Sequence, residues 1–336
     1  MREFANKVYG NSLDVFVDCD MKIVVADGYA LNPGDLSWDP ITAYGELVVY
    51  DRTPVESIVE RCQDADIVLT NKVPFSRETL TKLPVLRLIS VLATGYNIVD
   101  TVAAKERKIV VSNAPAYGTD SVAQHVFALL LELTNHVGRN ARATAEGKWQ
   151  KSIDWAFTEA PVMELAGKTF GVVGFGNIGQ QAARIAGAFG MNVIYNNPSK
   201  KDTGLGSPVG MEELFALSDV ITLHCPVTAT NQEFVNAALI AKMKPTAFLI
   251  NTARGQLINE KELAEALNQG VIAGAGLDVL SKEPPPDSNP LLTAKNCIIT
   301  PHNAWISKEA RTRVMHITAE NIDAFLKNRP IHVVNS

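Results

Sequence analysis

Long apolar runs are missing from this 336-residue chain: nowhere do 18 apolar residues follow one another, and the first twenty hold four acids and no apolar core. A membrane-spanning helix and a secretory leader are both unexpected, and a cytoplasmic location is predicted. Residues 1–20 read as an extension ahead of a first strand that begins at Met21. Cysteine is scarce. Cys19, Cys62, Cys225 and Cys297 form no C-x-x-C pair and have no histidine at ligand spacing, so neither a disulfide framework nor a metal site is expected. Positive charge is not in excess: 31 Lys and Arg against 36 Asp and Glu leave a net charge of -5, which argues against nucleic acid or a membrane surface as partner. Repeats, low-complexity tracts and flexible linkers are also lacking, so two closely joined domains with a cleft between them are expected.

What the chain does contain is alternation. Short β-branched runs at 22–26, 47–50, 67–70, 88–92 and 109–112 are separated by polar or helix-period segments, the pattern of a small βαβ domain. A long helical pattern follows over 119–137 (TDSVAQHVFALLLELTNHV), apolar nearly all round, and so predicted to be buried between domains or subunits. A second series of strands is expected at 169–173, 192–195, 220–223, 247–250, 272–276 and 297–300. The fold class is therefore α/β, with two doubly wound parallel sheets. One last helix, 308–327, has no place on the completed second sheet and returns most economically to the first domain.

Residues 168–179 read KTFGVVGFGNIG, an apolar strand and then Gly174-x-Gly176-x-x-Gly179 opening a helix. That context turns a weak motif into a dinucleotide fingerprint. Gly174 permits the tight turn, Gly176 lets a pyrophosphate approach the backbone, and Gly179 lets helix and strand pack. The amides of Asn177 and Ile178 then face the phosphates. At the end of the next strand an acidic residue is missing: YNNPSKK places Asn197 where a carboxylate would bond both adenosine ribose hydroxyls. Asn197 does not repel a 2'-phosphate, and Ser199, Lys200 and Lys201 offer a hydroxyl and two cations, which favours NADP(H) or dual use with NAD(H). Two merely solvated lysines are the competing reading.

Three ionisable residues fall at strand ends of the second sheet: Arg254 in LINTARGQL, Glu283 in LDVLSKEPP and His302 in ITPHNAW. Such ends are where a doubly wound sheet binds ligands. An Arg can hold a carboxylate and polarise the adjacent ketone, a His can transfer a proton near neutral pH, and a Glu can hold that His protonated. Together they suit reduction of a 2-keto acid. Of the other histidines, His125 and His136 read as packing or interface residues, His224 as touching at most the cofactor's ribose region, and His316 and His332 as surface residues.

These motifs make the chain resemble the D-isomer-specific 2-hydroxyacid dehydrogenases from Met21 to the final helix. The matching stretches are LATGYNIVD (92–100), NAPAYGTDSVAQH (113–125), GVVGFGNIGQ (171–180), LHCPVT (223–228), NTARG (251–255), GLDVLSKEPP (276–285) and PHNAW (301–305). The resemblance implies a Rossmann NAD(P)-binding domain, 119–304, inserted into a flavodoxin-like substrate domain made of 21–118 and 305–336. It also implies a homodimer formed through the 119–137 helix. By the same resemblance His302 is the acid/base, Glu283 its partner and Arg254 the substrate-orienting cation. The amides of Thr94 and Gly95 hold the substrate carboxylate, Asp278 meets the nicotinamide side, and Thr94, Cys225, Thr252 and Ala253 line the cofactor's path. Asn197 departs from the family's usual Asp, and Asn97 replaces a commonly acidic loop residue without a reason visible in the sequence.

PHNAW and the helix after it look like the glycerate dehydrogenase and hydroxypyruvate reductase branch, with hydroxypyruvate or glyoxylate as keto acid. Trp305 either closes the pocket around a short hydroxylated acid or packs between domains. Lys72 either adds a charge at the cleft or is a solvated loop lysine. A D-lactate-type reductase and a dinucleotide sensor akin to the corepressors that resemble this family remain alternatives.

Overall fold

The computed structural model describes residues 21–201 and 203–336; the expected 1–20 extension lies outside them. Tertiary contacts divide the chain into two units, one of residues up to Tyr117 together with Arg311–Ser336, the other Gly118–Ala310.

The first unit has a five-stranded sheet of β1 (Lys22–Val25), β2 (Glu46–Val49), β3 (Ile67–Thr70), β4 (Leu88–Val91) and β5 (Val110–Ser112), in the order β2-β1-β3-β4-β5. Every pairing is parallel. Strands β3 and β4 are buried along their whole length, which is why IVLT and LISV read as continuous apolar runs rather than alternating ones. Helices α1 (Asp39–Thr42), α2 (Ile58–Cys62), α3 (Arg77–Thr81) and α4 (Thr101–Glu106) make the crossovers, α4 capped by the Asp100 carboxylate on the Ala103 N–H.

The second unit begins with α5 (Thr119–Asn135) and α6 (Val137–Ala145). The single helical pattern expected to reach Val137 is broken at His136, whose left-handed backbone (φ 52°) ends one helix and starts the next. Glu132 makes the corner: its carbonyl accepts the His136 N–H and its carboxylate the Gly138 N–H. Seven parallel strands follow, β6 (Thr169–Val173), β7 (Asn192–Asn196), β8 (Ser207–Pro208), β9 (Val220–Leu223), β10 (Phe248–Asn251), β11 (Gly274–Leu277) and β12 (Cys297–Ile299). Their order is β12-β11-β10-β9-β6-β7-β8. Sequence reading missed β8, because two residues carry no period. It also set β11 two residues early: GAGL has no β-branched residue, and its glycines leave room for Leu129 and Leu133 of α5, which a Cβ on Gly276 or Gly274 would meet at 3.0 and 3.2 Å. Helices α7 (Asn177–Ala188), α8 (Met211–Leu217), α9 (Ala237–Ile240) and α10 (Glu260–Gln269) cover the faces. Phe127 of α5 stacks on Phe170 of β6 and on Phe189 after α7, joining sheet and helices in one core.

The final helix, α11 (Lys308–Leu326), returns the chain to the first unit. Arg311, 6% exposed, donates from both terminal nitrogens to the Asp35 carboxylate at 2.7 Å and from Nη1 to the Leu31 carbonyl. Asn321 donates to the Asn113 carbonyl and meets His332 Nδ1 at 2.8 Å. The chain thus re-enters the first unit at Arg311, six residues beyond the expected 305, because the turn after β12 stays with α5: the Ser121 hydroxyl donates to the Ala304 carbonyl.

Candidate active site

The seven-stranded sheet runs outward from β6 through β7 to β8, then restarts on the other side at β9, so its switch point lies between β6 and β9. Gly174, at the end of β6, has φ 91°, and a Cβ there would stand 2.5 Å from the Cys225 nitrogen after β9. Only glycine suits that backbone and that approach. A Cβ on Gly179 would likewise collide with the Gly174 carbonyl oxygen, whereas a Cβ on Gly176 would meet nothing within 4 Å. The open side of Gly176 at the start of twelve-residue α7 is the cradle a pyrophosphate needs. A second sign of a ligand is the Thr252 hydroxyl, buried and without a hydrogen-bond partner among the described residues. The residues expected to hold a dinucleotide fit one.

Asn197 lies at the end of β7. Its Oδ1 accepts the Phe175 N–H at 2.9 Å, and its Nδ2 donates to the Ser199 carbonyl at 2.8 Å and hydroxyl at 3.3 Å. Lys200 and Lys201 are exposed in the turn that follows. Burial pushes the Cys225 thiol's pKa up, which disfavours the thiolate that a nucleophile needs. Burial also pushes the His224 pKa down to about 3, the ring sharing a hydrogen bond with the Thr222 hydroxyl at 3.0 Å. Well above pH 6.5 this imidazole is neutral folded or unfolded and adds no pH dependence. As pH falls towards 3 the unfolded chain takes a proton that the folded one refuses, so stability drops, by about 2 kcal/mol at pH 5. His224→Asn should therefore lose markedly less stability than the parent between pH 7 and pH 5, measured by urea unfolding; equal losses would remove His224 as the cause.

Arg254, Glu283 and His302 follow β10, β11 and β12, three adjacent strands, at their carboxyl ends. His302 Nδ1 lies 2.6 Å from Glu283 Oε2, and Glu283 Oε1 accepts the Leu280 N–H. A carboxylate on Nδ1 sets that nitrogen as the proton-bearing one of the neutral ring and leaves Nε2 for a substrate. The His302 backbone is left-handed (φ 52°), an uncommon state for a non-glycine residue. Asp278, 1% exposed, holds it there. Its carbonyl accepts the His302 N–H, and its carboxylate accepts the N–H groups of Asn303 and Ala304 and the Thr300 hydroxyl. His125 of α5 joins this cluster, 3.0 Å from the Thr300 hydroxyl. Asp278, expected at the nicotinamide side, thus has both carboxylate oxygens engaged by the chain itself, a duty that no sequence pattern announces.

The Arg254 loop is held by Asn251, which accepts the Ala253 N–H and donates to the Arg254 carbonyl, while Arg254 Nη1 donates to the Ala253 carbonyl. Gly255 brings this loop onto the one carrying Glu283: a Cβ there would lie 1.9 Å from the Leu280 carbonyl carbon. Glu260 secures the same loop by accepting the Ser281 N–H. Gly255→Ala must push the two loops apart, and we expect kcat/KM to fall about a hundredfold, the usual effect of an ångström-scale displacement of catalytic groups. Steady-state kinetics checks this; a fully active variant would show that the approach is not needed.

In the first unit, Thr94 and Gly95 follow β4. The Thr94 hydroxyl donates to the Ala114 carbonyl and Asn113 donates to the Thr94 carbonyl, while the N–H groups of Thr94 and Gly95 make no hydrogen bond among the described residues. Asp27, which sequence reading passed over, follows β1 and accepts the N–H groups of Asn71, Lys72 and Val73, fixing the Lys72 segment at this sheet's own switch point. Burial raises its pKa against the pull of those amides. Trp305 is half-buried beside Gly118 in the second unit.

The model of the D-isomer specific 2-hydroxyacid dehydrogenase NAD binding domain matches residues 127–304. A hydroxypyruvate reductase of Blautia hydrogenotrophica is 50% identical over 322 residues, 94% of this chain and 100% of that protein. A glycerate dehydrogenase of Methylorubrum extorquens is 42% identical, covering 84% of this chain and 89% of its own. Among solved structures, an acyclic imino acid reductase in complex with NADPH and D-Arg superposes with a TM-score of 0.83 at 35% identity, over 94% of this chain and 100% of that one.

Proposed function

Because the chain belongs to the D-isomer specific 2-hydroxyacid dehydrogenase family, we propose that it is an NAD(P)-dependent reductase of hydroxypyruvate or glyoxylate, forming D-glycerate from the former. The observation that carries this reading is the His302–Glu283 pair at 2.6 Å, standing beside Arg254 at adjacent strand ends of the sheet that carries the glycine-rich turn.

The bound reduced nicotinamide supplies the hydride taken up at C2 of the keto acid. His302 Nε2 gives the proton to the carbonyl oxygen, and Glu283 steadies the positive charge of the ring before that transfer. Arg254 binds carboxylate and carbonyl oxygen together, which aligns the ketone and draws electron density from C2. Trp305, in the same unit as His302 and Arg254, bounds the pocket for a short acid. Gly174, Gly176, Asn177, Ile178 and Gly179 would hold the dinucleotide's phosphates, and Cys225, Thr252, Ala253 and Asp278 would line the rest of its path. Asn197, standing where a carboxylate would repel a 2'-phosphate, favours NADP(H) together with the Ser199 hydroxyl and the Lys200 ammonium.

We also assign a homodimer through α5 and the segment after it, where Trp155 and Ile153 are 89% and 102% exposed and Val137, Trp149 and Val162 are exposed as well. No described helix is long and apolar enough to cross a membrane, and a cytoplasmic site of action completes the proposal. The test is hydroxypyruvate and glyoxylate reduction by purified protein with NADPH and NADH at matched concentrations. Turnover of either acid supports the reading. Tight dinucleotide binding with no turnover of either acid would replace it with a sensor.

A further inference from the structure

Tyr195 is the bulkiest of the fully buried side chains among the described residues, 1% exposed, and its hydroxyl has a task outside the catalytic chemistry. The ring lies flat against Phe175, the residue between Gly174 and Gly176, with centroids 4.0 Å apart and planes 10° from parallel. The hydroxyl reaches across six positions: it donates to the Lys201 carbonyl at 2.8 Å and accepts the Lys201 N–H at 3.1 Å. Segment 195–201 is thereby closed into a ring, braced inside by the Asn197 side chain on Ser199. Because Asn197 also accepts the Phe175 N–H, one buried aromatic pair supports both the glycine-rich turn and the loop that carries Ser199, Lys200 and Lys201.

Lysines on an untethered turn lose conformational freedom when they bind an anion, and a preformed turn reduces that loss. We propose that Tyr195 is a positioning residue for recognition of the adenosine 2'-phosphate: its hydroxyl holds the Ser199–Lys201 turn in the geometry that receives the phosphate. This rests on the NADP(H) preference proposed above. Tyr195→Phe keeps the ring stack and the packing and removes only the clasp, and the released Lys201 backbone groups belong to an exposed residue that water can satisfy.

The experiment is calorimetric titration of the purified protein with NADPH, NADH, adenosine 2',5'-bisphosphate and AMP. For Tyr195→Phe, affinity for NADPH and the bisphosphate should fall about tenfold, the equivalent of one hydrogen bond of average strength, while NADH and AMP change less than about twofold. A uniform loss over all four ligands, or no loss at all, overturns the proposal. Lys201→Pro compared with Lys201→Ala gives an independent check, since both remove the ammonium and only proline removes the N–H that Tyr195 accepts. The proline variant should bind NADPH more weakly than the alanine variant, and equal affinities count against the clasp. If the parent protein binds NADPH no more tightly than NADH, the cofactor preference itself fails and the proposal falls with it, a result distinct from loss of selectivity in the variant alone.

Discussion

The His302→Asn variant should bind dinucleotide as the parent does and reduce hydroxypyruvate about a thousandfold more slowly, within the usual range for loss of a general acid. Asn can still meet the Glu283 carboxylate with its amide, so the loop between β12 and α11 keeps a polar link. The Asp278 clamp on the Asn303 and Ala304 N–H groups is untouched. What disappears is the imidazole that can hand a proton to the substrate from Nε2. A thousandfold loss in kcat corresponds to about 4 kcal/mol of barrier. The measurement pairs kcat with calorimetric dinucleotide affinity. A kcat within tenfold of the parent would transfer the proton-donor role to another residue, and a collapse of affinity would show that the substitution had disturbed the fold.

Arg254→Gln should have an effect of similar size by a different route. The guanidinium is exposed and its root is tied down, Nη1 to the Ala253 carbonyl and the preceding backbone to Asn251. The remaining donors form a fork that matches a carboxylate and the neighbouring carbonyl oxygen. Two charge-assisted hydrogen bonds at about 2 kcal/mol each amount to about a thousandfold in kcat/KM, divided between a higher KM and a lower kcat. Arg254→Lys keeps the charge and loses the fork, and should recover about tenfold of that loss. If the Lys variant matched the parent in both constants, geometry would not matter at this position and the role assigned to Arg254 would be wrong. With His302→Asn the loss should fall on kcat, so the two variants separate proton transfer from substrate orientation.

Most of the site was legible because its residues sit at ends of periodic elements. Arg254, Glu283 and His302 each follow a short apolar run, and the glycines of GFGNIG lie between such a run and a helical pattern. A strand of four or five buried residues announces itself by composition, and in a parallel α/β sheet its carboxyl end is already the ligand side. What was missed or misplaced has no period. The two-residue β8, the glycine-rich β11 and the corner at His136 are set by what packs against them: β7, the leucines of α5 and the Glu132 carboxylate.

The sequence by itself determined two series of parallel strands, a dinucleotide turn and three ionisable residues at strand ends, since each is written in a local spacing of a few residues. Only the tertiary structure decided that β10, β11 and β12 are neighbours, that His302 is held left-handed by a buried Asp278, that Gly255 lets two loops touch, and that Tyr195 clasps Lys201. These depend on strand order, on backbone approach and on hydrogen bonds formed across the fold. Hydrophobic periodicity records which face of an element is buried and carries no record of which element lies against it.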